Sequence, residues 1–99
     1  MAKAIPLKLG PLGRLVMTRG VTDNIAEDIN FSKFVIASIA RHANADWGDL
    51  SAEDKKANDQ ALKDGDRLLS AYEKPGQPKI WIITEWDRSV TMVLFPEEY

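Results

Sequence analysis

Lys79-Ile80-Trp81-Ile82-Ile83-Thr84-Glu85-Trp86, then Asp87-Arg88, then Ser89-Val90-Thr91-Met92-Val93-Leu94-Phe95, is the stretch that decides the fold. Two runs rich in β-branched and aromatic residues flank a tight connection, and Pro96 stops the second run. Such runs fit a pleated surface, and a short polar link between them makes a hairpin. Upstream, Pro75-Gly76-Gln77-Pro78 is a turn, and Arg67-Leu68-Leu69-Ser70-Ala71-Tyr72 reads as a further strand. Three strands joined by short turns predict an antiparallel meander.

Before Arg67 the period changes. Phe31, Phe34, Val35, Ile39 and His42 recur at three- and four-residue steps, the stripe of a helix that begins near Asn30 or Ser32. Ile36 and Ala40 widen that stripe. Ser51-Ala52-Glu53-Asp54 opens a second helix with a good cap and acids in its positive first turn. Leu50, Asp54, Ala57, Ala61 and Leu62 form its weaker inner face, and Gly65 is placed to end it in a left-handed cap. Thr22 or Asp23 can cap a short helical turn, Arg14 to Thr18 reads as a strand, and residues 1–13 form an extended, loosely held lead-in broken by Pro6, Gly10, Pro11 and Gly13. The expectation is one α+β domain over residues 1–99. Its four-stranded antiparallel sheet follows the order β-α-α-β-β-β, with two main helices on one face.

Composition supports a single globular domain: 99 residues, 44% hydrophobic and 28% charged. The chain has no cysteine and one histidine, which leaves no disulfide framework, thiolate nucleophile or cysteine-based zinc site. No apolar run reaches the roughly 20 residues of a membrane span, and the start lacks the apolar core of a secretory signal. A cytoplasmic protein without cofactor or metal is expected. The formal net charge of −2 argues against general affinity for nucleic acid. Local asymmetry exists all the same: Lys3, Lys8, Arg14 and Arg19 lead the chain with no acid among them, whereas Asp46 to Asp66 is acidic.

Four features bear on function, the weakest being Asn58 with Arg67, Ser70 and Tyr72 near the helix-to-strand junction, where an asparagine in mid-helix is placed to bond a neighbouring loop. Arg41-His42-Ala43-Asn44-Ala45-Asp46-Trp47-Gly48-Asp49 places one imidazole near two carboxylates, and a carboxylate can orient and charge an imidazole. Turn chemistry explains the same residues: Asp46 and Asp49 as caps, Trp47 as an anchor on the sheet, Gly48 at positive φ, His42 within the buried stripe. In Glu85-Trp86-Asp87-Arg88, the arginine can pair with either carboxylate and close the hairpin end. The third signal is alternation. Ile80, Ile82 and Thr84 share one face of their strand, while Trp81, Ile83 and Glu85 share the other, so both faces carry large apolar groups. Either the lead-in covers the second face or that face is an interface.

Thr18-Arg19-Gly20-Val21, Arg41-His42 through Asp46-Trp47-Gly48, Glu53-Asp54, Asn58, Arg67 to Tyr72, Ile80 to Glu85, Asp87 to Thr91 and Phe95 to Tyr99 together resemble a group of small plasmid-related proteins of bacterial plasmids and integrative conjugative elements. The likeness runs from Leu12 onward. Ala45 stands where that group often has glycine, and Trp86 where it often has alanine. The resemblance implies a genomic setting and no established activity. The expected function is a non-catalytic interaction protein of a mobile element, an inhibitor of host defence of the anti-restriction or anti-CRISPR kind. Its partner is a protein or a second copy of the chain, met by residues drawn from Trp81, Ile83, Glu85, Arg88, Asp46, Trp47 and Asp49. Two other classes stay open: a small enzyme using His42 with Asp46 or Asp49, and a nucleic-acid-binding accessory using Arg14, Arg19 and Arg88 with the tryptophans.

Overall fold

A computed structural model describes residues 11–99. Four strands and three helices follow in the order β1 (Arg14–Met17), α1 (Arg19–Glu27), α2 (Ile29–Ala43), α3 (Ala52–Asp64), β2 (Leu68–Tyr72), β3 (Ile80–Thr84) and β4 (Val90–Leu94), with a final 3₁₀ turn at Pro96–Glu98. The class is α+β, and the meander β2-β3-β4 is antiparallel as the turns predict. The sheet order is β1-β4-β3-β2, and β1 pairs with β4 in parallel, so the sheet is mixed rather than wholly antiparallel. The reason is topological. Two reversals make β4 run as β2 does, and the helical crossover returns the chain to β2 pointing as β1 pointed.

The helix ends follow their side chains. Thr18 caps α1, its Oγ1 accepting from the Val21 N–H at 3.4 Å, so the short helical turn expected near Asn24 is a nine-residue helix starting at Arg19. Asp28 caps α2 by accepting from the N–H groups of Asn30 and Phe31 at 2.9 and 3.3 Å. Ser51 accepts from the Asp54 N–H at 3.1 Å, and Gly65 ends α3 at φ 74°, both as the sequence predicts. The end of α2 closes in a Schellman motif: the Ala45 N–H donates to the His42 carbonyl at 3.1 Å, and the Asp46 N–H to the Arg41 carbonyl at 2.9 Å. That geometry holds Ala45 at φ 61°, a left-handed conformation rarely given to alanine.

The helices pack on one face of the sheet. Val21, Phe31, Phe34 and Val35 meet Tyr72, Ile80, Ile82 and Val93 in the main core. A second cluster joins Trp47 and Leu68 to Leu12, Leu50, Ala61 and Leu62. The stripe on α2 is narrower than its sequence suggests, since Ile36 is 65% exposed and Ala40 is exposed as well. On α3, Asn58 is the buried residue, while Asp54 and Ala57 face solvent.

Asn58 explains how the β2 edge is closed. Its amide nitrogen donates to the Leu69 carbonyl, and its Oδ1 accepts from the Leu69 N–H at 3.2 Å, so one side chain stands in for a neighbouring strand. Beyond it the Trp47–Asp49 segment continues the seal. The Ala71 N–H donates to the Trp47 carbonyl at 3.3 Å, the Asp49 N–H to the Ala71 carbonyl at 2.7 Å, and the Glu73 N–H to Asp49 Oδ2 at 2.8 Å. An open strand edge is a template for unwanted pairing, and this one is covered.

Candidate functional site

Register assigns each strand residue to a face. Thr84 pairs with Leu68 and Thr91, and Ile82 with Ser70 and Val93, so these side chains share the helix-covered face. Ile83 pairs with Leu69 and Met92, Trp81 with Ala71 and Leu94, and Val16 with Met92, which places these seven residues on the outer face.

The covered face carries a buried polar chain. His42 is fully buried, with Nδ1 against Ser70 Oγ and Nε2 against Thr84 Oγ1 at 2.8 Å. Thr84 Oγ1 meets Thr91 Oγ1 at 2.8 Å, and the Thr91 hydroxyl donates to the Leu12 carbonyl at 2.7 Å. A carbonyl only accepts, so the donors run one way: Thr91 gives its hydrogen to Leu12, Thr84 gives to Thr91, His42 Nε2–H gives to Thr84, and Ser70 gives to His42 Nδ1. This order requires the neutral Nε2–H tautomer. Burial, with the charge of Arg88 adding to it, pushes the His42 pKa down to about 4. The imidazole is thus structural, as its stripe position predicts, with Trp47 packed edge-on at 5.8 Å.

The acid–base unit that the loop sequence allowed is not assembled. Both ring nitrogens of His42 are taken by hydroxyls, and Asp46 turns to Arg41, whose Nε and Nη2 donate to it at 2.8 and 3.2 Å. Those bonds hold the Asp46 carboxyl below its ordinary pKa, and its Oδ1 also accepts from the Gly48 N–H at 3.1 Å. Trp47 is 3% exposed and donates its indole N–H to Asp59 Oδ1 at 2.9 Å. Asp49 belongs to the β2 edge seal. Arg88, at φ 61°, gives its Nη1 hydrogens to the carbonyls of Asp66 and Glu85 at 2.6 and 3.1 Å rather than to a carboxylate. Asp87 is satisfied by Ser89, whose N–H and hydroxyl donate to it at 3.0 and 2.6 Å. Of the basic and aromatic set weighed for nucleic acid, Trp47 is buried and Arg88 bonds backbone carbonyls, while Trp86 is 66% exposed.

The outer face is different. Trp81 and Ile83 share this face, and Ile83 and Glu85 line a shallow groove of about 410 Å³ with Arg67, Val90, Met92, Leu94, Glu98 and Tyr99, while Trp81 stands outside that lining. Arg67 Nε sits 3.3 Å from Glu85 Oε1, and its Nη1 donates to the Tyr99 hydroxyl at 2.7 Å. The Tyr99 ring also packs edge-on against Trp81 at 5.7 Å. Tyr99 therefore reaches from Trp81 to Arg67, and Ile83 between them is 3% exposed. Beyond this bridge the face stays open: Met92 is 37% exposed, and Val16, Val90 and Trp81 are half-buried. Residues 1–10, which the lead-in expectation placed over this face, lie outside the described residues. Leu12 packs on the opposite, helix-covered side.

Trp81, Ile83 and Glu85 of this face follow from alternation along their strand, whereas Arg67, Met92 and Tyr99 join them unanticipated. Met92 was legible, because alternation from Val90 and the hairpin register with Ile83 place it there. Tyr99 was not, since nothing in a terminal Pro-Glu-Glu-Tyr states that the chain folds back. Among the described residues no three or more histidine, aspartate and glutamate side chains converge to hold a metal, and no helix is long and apolar enough to cross a membrane. Comparison with protein-family models, with curated proteins and with solved structures finds no match in any of the three.

Proposed function

We propose that this chain is a non-catalytic interaction protein that presents the outer face of its sheet to a protein partner. The observation that supports this reading is the apolar floor of Met92, Val16 and Val90, exposed or half-buried beside the Arg67–Glu85 pair. An apolar centre rimmed by charged and aromatic groups is the composition of a protein contact. The resemblance to plasmid-related proteins supports a partner in the host cell, an anti-restriction or anti-CRISPR target being the form that fits a small acidic protein of a mobile element.

A photo-crosslinking amino acid at position 92 tests it, with position 53 on the exposed side of α3 as control. In host cells, position 92 is expected to trap a defined protein that position 53 does not trap. Met92→Glu and Trp81→Glu should abolish capture and the protection of incoming plasmid DNA, with an unchanged far-ultraviolet spectrum. Equal trapping from both positions, or capture that survives both substitutions, overturns the reading.

A further inference from the structure

The two edges of the sheet are finished differently. On the β2 side Asn58, Trp47 and Asp49 occupy the outward backbone groups of Leu69 and Ala71. On the β1 side the Arg14 and Thr18 N–H groups bond inward, to the Ser89 and Val93 carbonyls at 2.9 and 3.1 Å. By alternation Val16 also faces β4, while Leu15 and Met17 turn their N–H and C=O groups away from the sheet. Among the described residues nothing pairs with those four groups, and Leu15 is 44% exposed.

We infer that this edge pairs antiparallel with the β1 edge of a second copy, about a two-fold axis at Val16, joining two four-stranded sheets into one of eight. A two-fold contact must be complementary to itself, and this edge is. With the axis at Val16, Leu15 stands opposite Met17 of the second copy and Met17 opposite its Leu15. Those are the two outward-facing residues, so both become hydrogen-bonded pairs with four N–H···O=C bonds. Val16 meets Val16 on the outer face and makes the two open faces continuous. On the other face Met17 of the second copy covers the exposed Leu15.

Charge complementarity selects this register. Arg14 lies on the outer face and comes opposite Thr18 of the second copy. The Thr18 hydroxyl donates to Glu98 Oε1 at 2.6 Å, and Glu98 lines the groove on that same face. Each Arg14 is therefore delivered to the other copy's Glu98 carboxylate, which Thr18 and the Phe95 N–H hold in its ionised form below the ordinary pKa. Arg19, the like charge nearby, is directed to Asp23 one turn along α1, at 3.9 Å. Sliding the register by two residues sets Arg14 opposite Val16 or beyond Thr18 and loses both ion pairs.

This edge borders the partner face and shares Val16 and Glu98 with it, but the pairing of two copies does not depend on a foreign partner. A short edge contact buries less than a standard interface, so the dimer is expected to form in the micromolar range or weaker. Sedimentation of the wild type up to about 1 mM should show monomer and dimer in exchange. Leu15→Pro removes an outward N–H that the native sheet does not use, so it should give a folded monomer. Arg14→Glu should weaken the dimer about tenfold or more, and Arg14→Glu with Glu98→Arg should restore it. Trp81→Glu, two strands from the axis, should leave the dimer intact while abolishing capture of a foreign partner. A wild type that stays monomeric at about 1 mM, or a dimer indifferent to Arg14→Glu, overturns the proposal.

Discussion

Acid should unfold this protein earlier than its carboxylates require, and His42 is the reason. In the unfolded chain the imidazole has its ordinary pKa of 6.5, whereas in the folded chain burial pushes it down to about 4. The folded state therefore refuses a proton that the unfolded state accepts between those values, and stability falls as pH drops from 6.5 towards 4. The full difference of about 2.5 pKa units corresponds to about 3 kcal/mol, of which about 2 kcal/mol is lost between pH 7 and pH 5. For a domain of this size that lowers Tm by about 10 °C. Asp46 and Glu98 have depressed pKa values and lose their own stabilisation only below the ordinary carboxylate range. The window from pH 7 to 5 thus isolates the histidine. Calorimetry of the wild type and His42→Gln across this window is the measurement. The variant starts lower, because Ser70 and Thr84 lose an imidazole partner, and its Tm should be nearly flat from pH 7 to 5. A variant that keeps the wild-type slope would refute the assignment, and so would a wild type with no slope. The ¹⁵N shifts of the ring give a second check, since the one-way chain ending on Leu12 demands the Nε2–H tautomer.

Four further substitutions test the roles of backbone conformation and edge closure by thermal or urea unfolding. Ala45→Gly relieves a left-handed alanine at φ 61° and should stabilise by about 1 kcal/mol, less the small loss of its packed methyl group. Gly48→Ala and Gly65→Ala impose the same backbone penalty, at φ 75° and 74°. Only the first also drives a Cβ into the Ala71 carbonyl and the Tyr72 ring, so it should cost more than about 3 kcal/mol against about 1 for the second. Asn58→Ala uncaps Leu69 at the β2 edge and should cost about 1–3 kcal/mol with a greater tendency to aggregate.

What was legible in the sequence is what local chemistry controls. The hairpin at Asp87-Arg88, the Ser51 cap, the Gly65 terminus and the stripe of Phe31, Phe34, Val35 and His42 each follow from a few neighbouring residues, and the structure has them. The direction of β1 was not legible, because it depends on how a helical crossover of some fifty residues returns to the sheet. Ala45 gave no local sign of a left-handed residue. The hydroxyl partners of His42 lie 28 and 42 residues away. They had a signature nonetheless: alternation puts Ser70, Thr84 and Thr91 on the same face as Ile80, Ile82 and Val93, where an apolar layer is expected.

That inversion sets the two faces of the sheet apart. The face buried under the helices accommodates one imidazole and three hydroxyls, and each of these groups needs a partner to avoid the cost of burial. The face without a helix carries Val16, Ile83, Val90, Met92 and Leu94 instead. Folding needs only the first face to be satisfied. Tyr99 and Arg67 shield Ile83 and leave Met92 and Val16 in contact with water, where each exposed Å² forgoes about 25 cal/mol of burial. A glutamate at position 92 therefore costs the isolated fold little. Its whole effect should appear when something else comes to lie on the sheet, which makes position 92 the place where folding and binding can be separated.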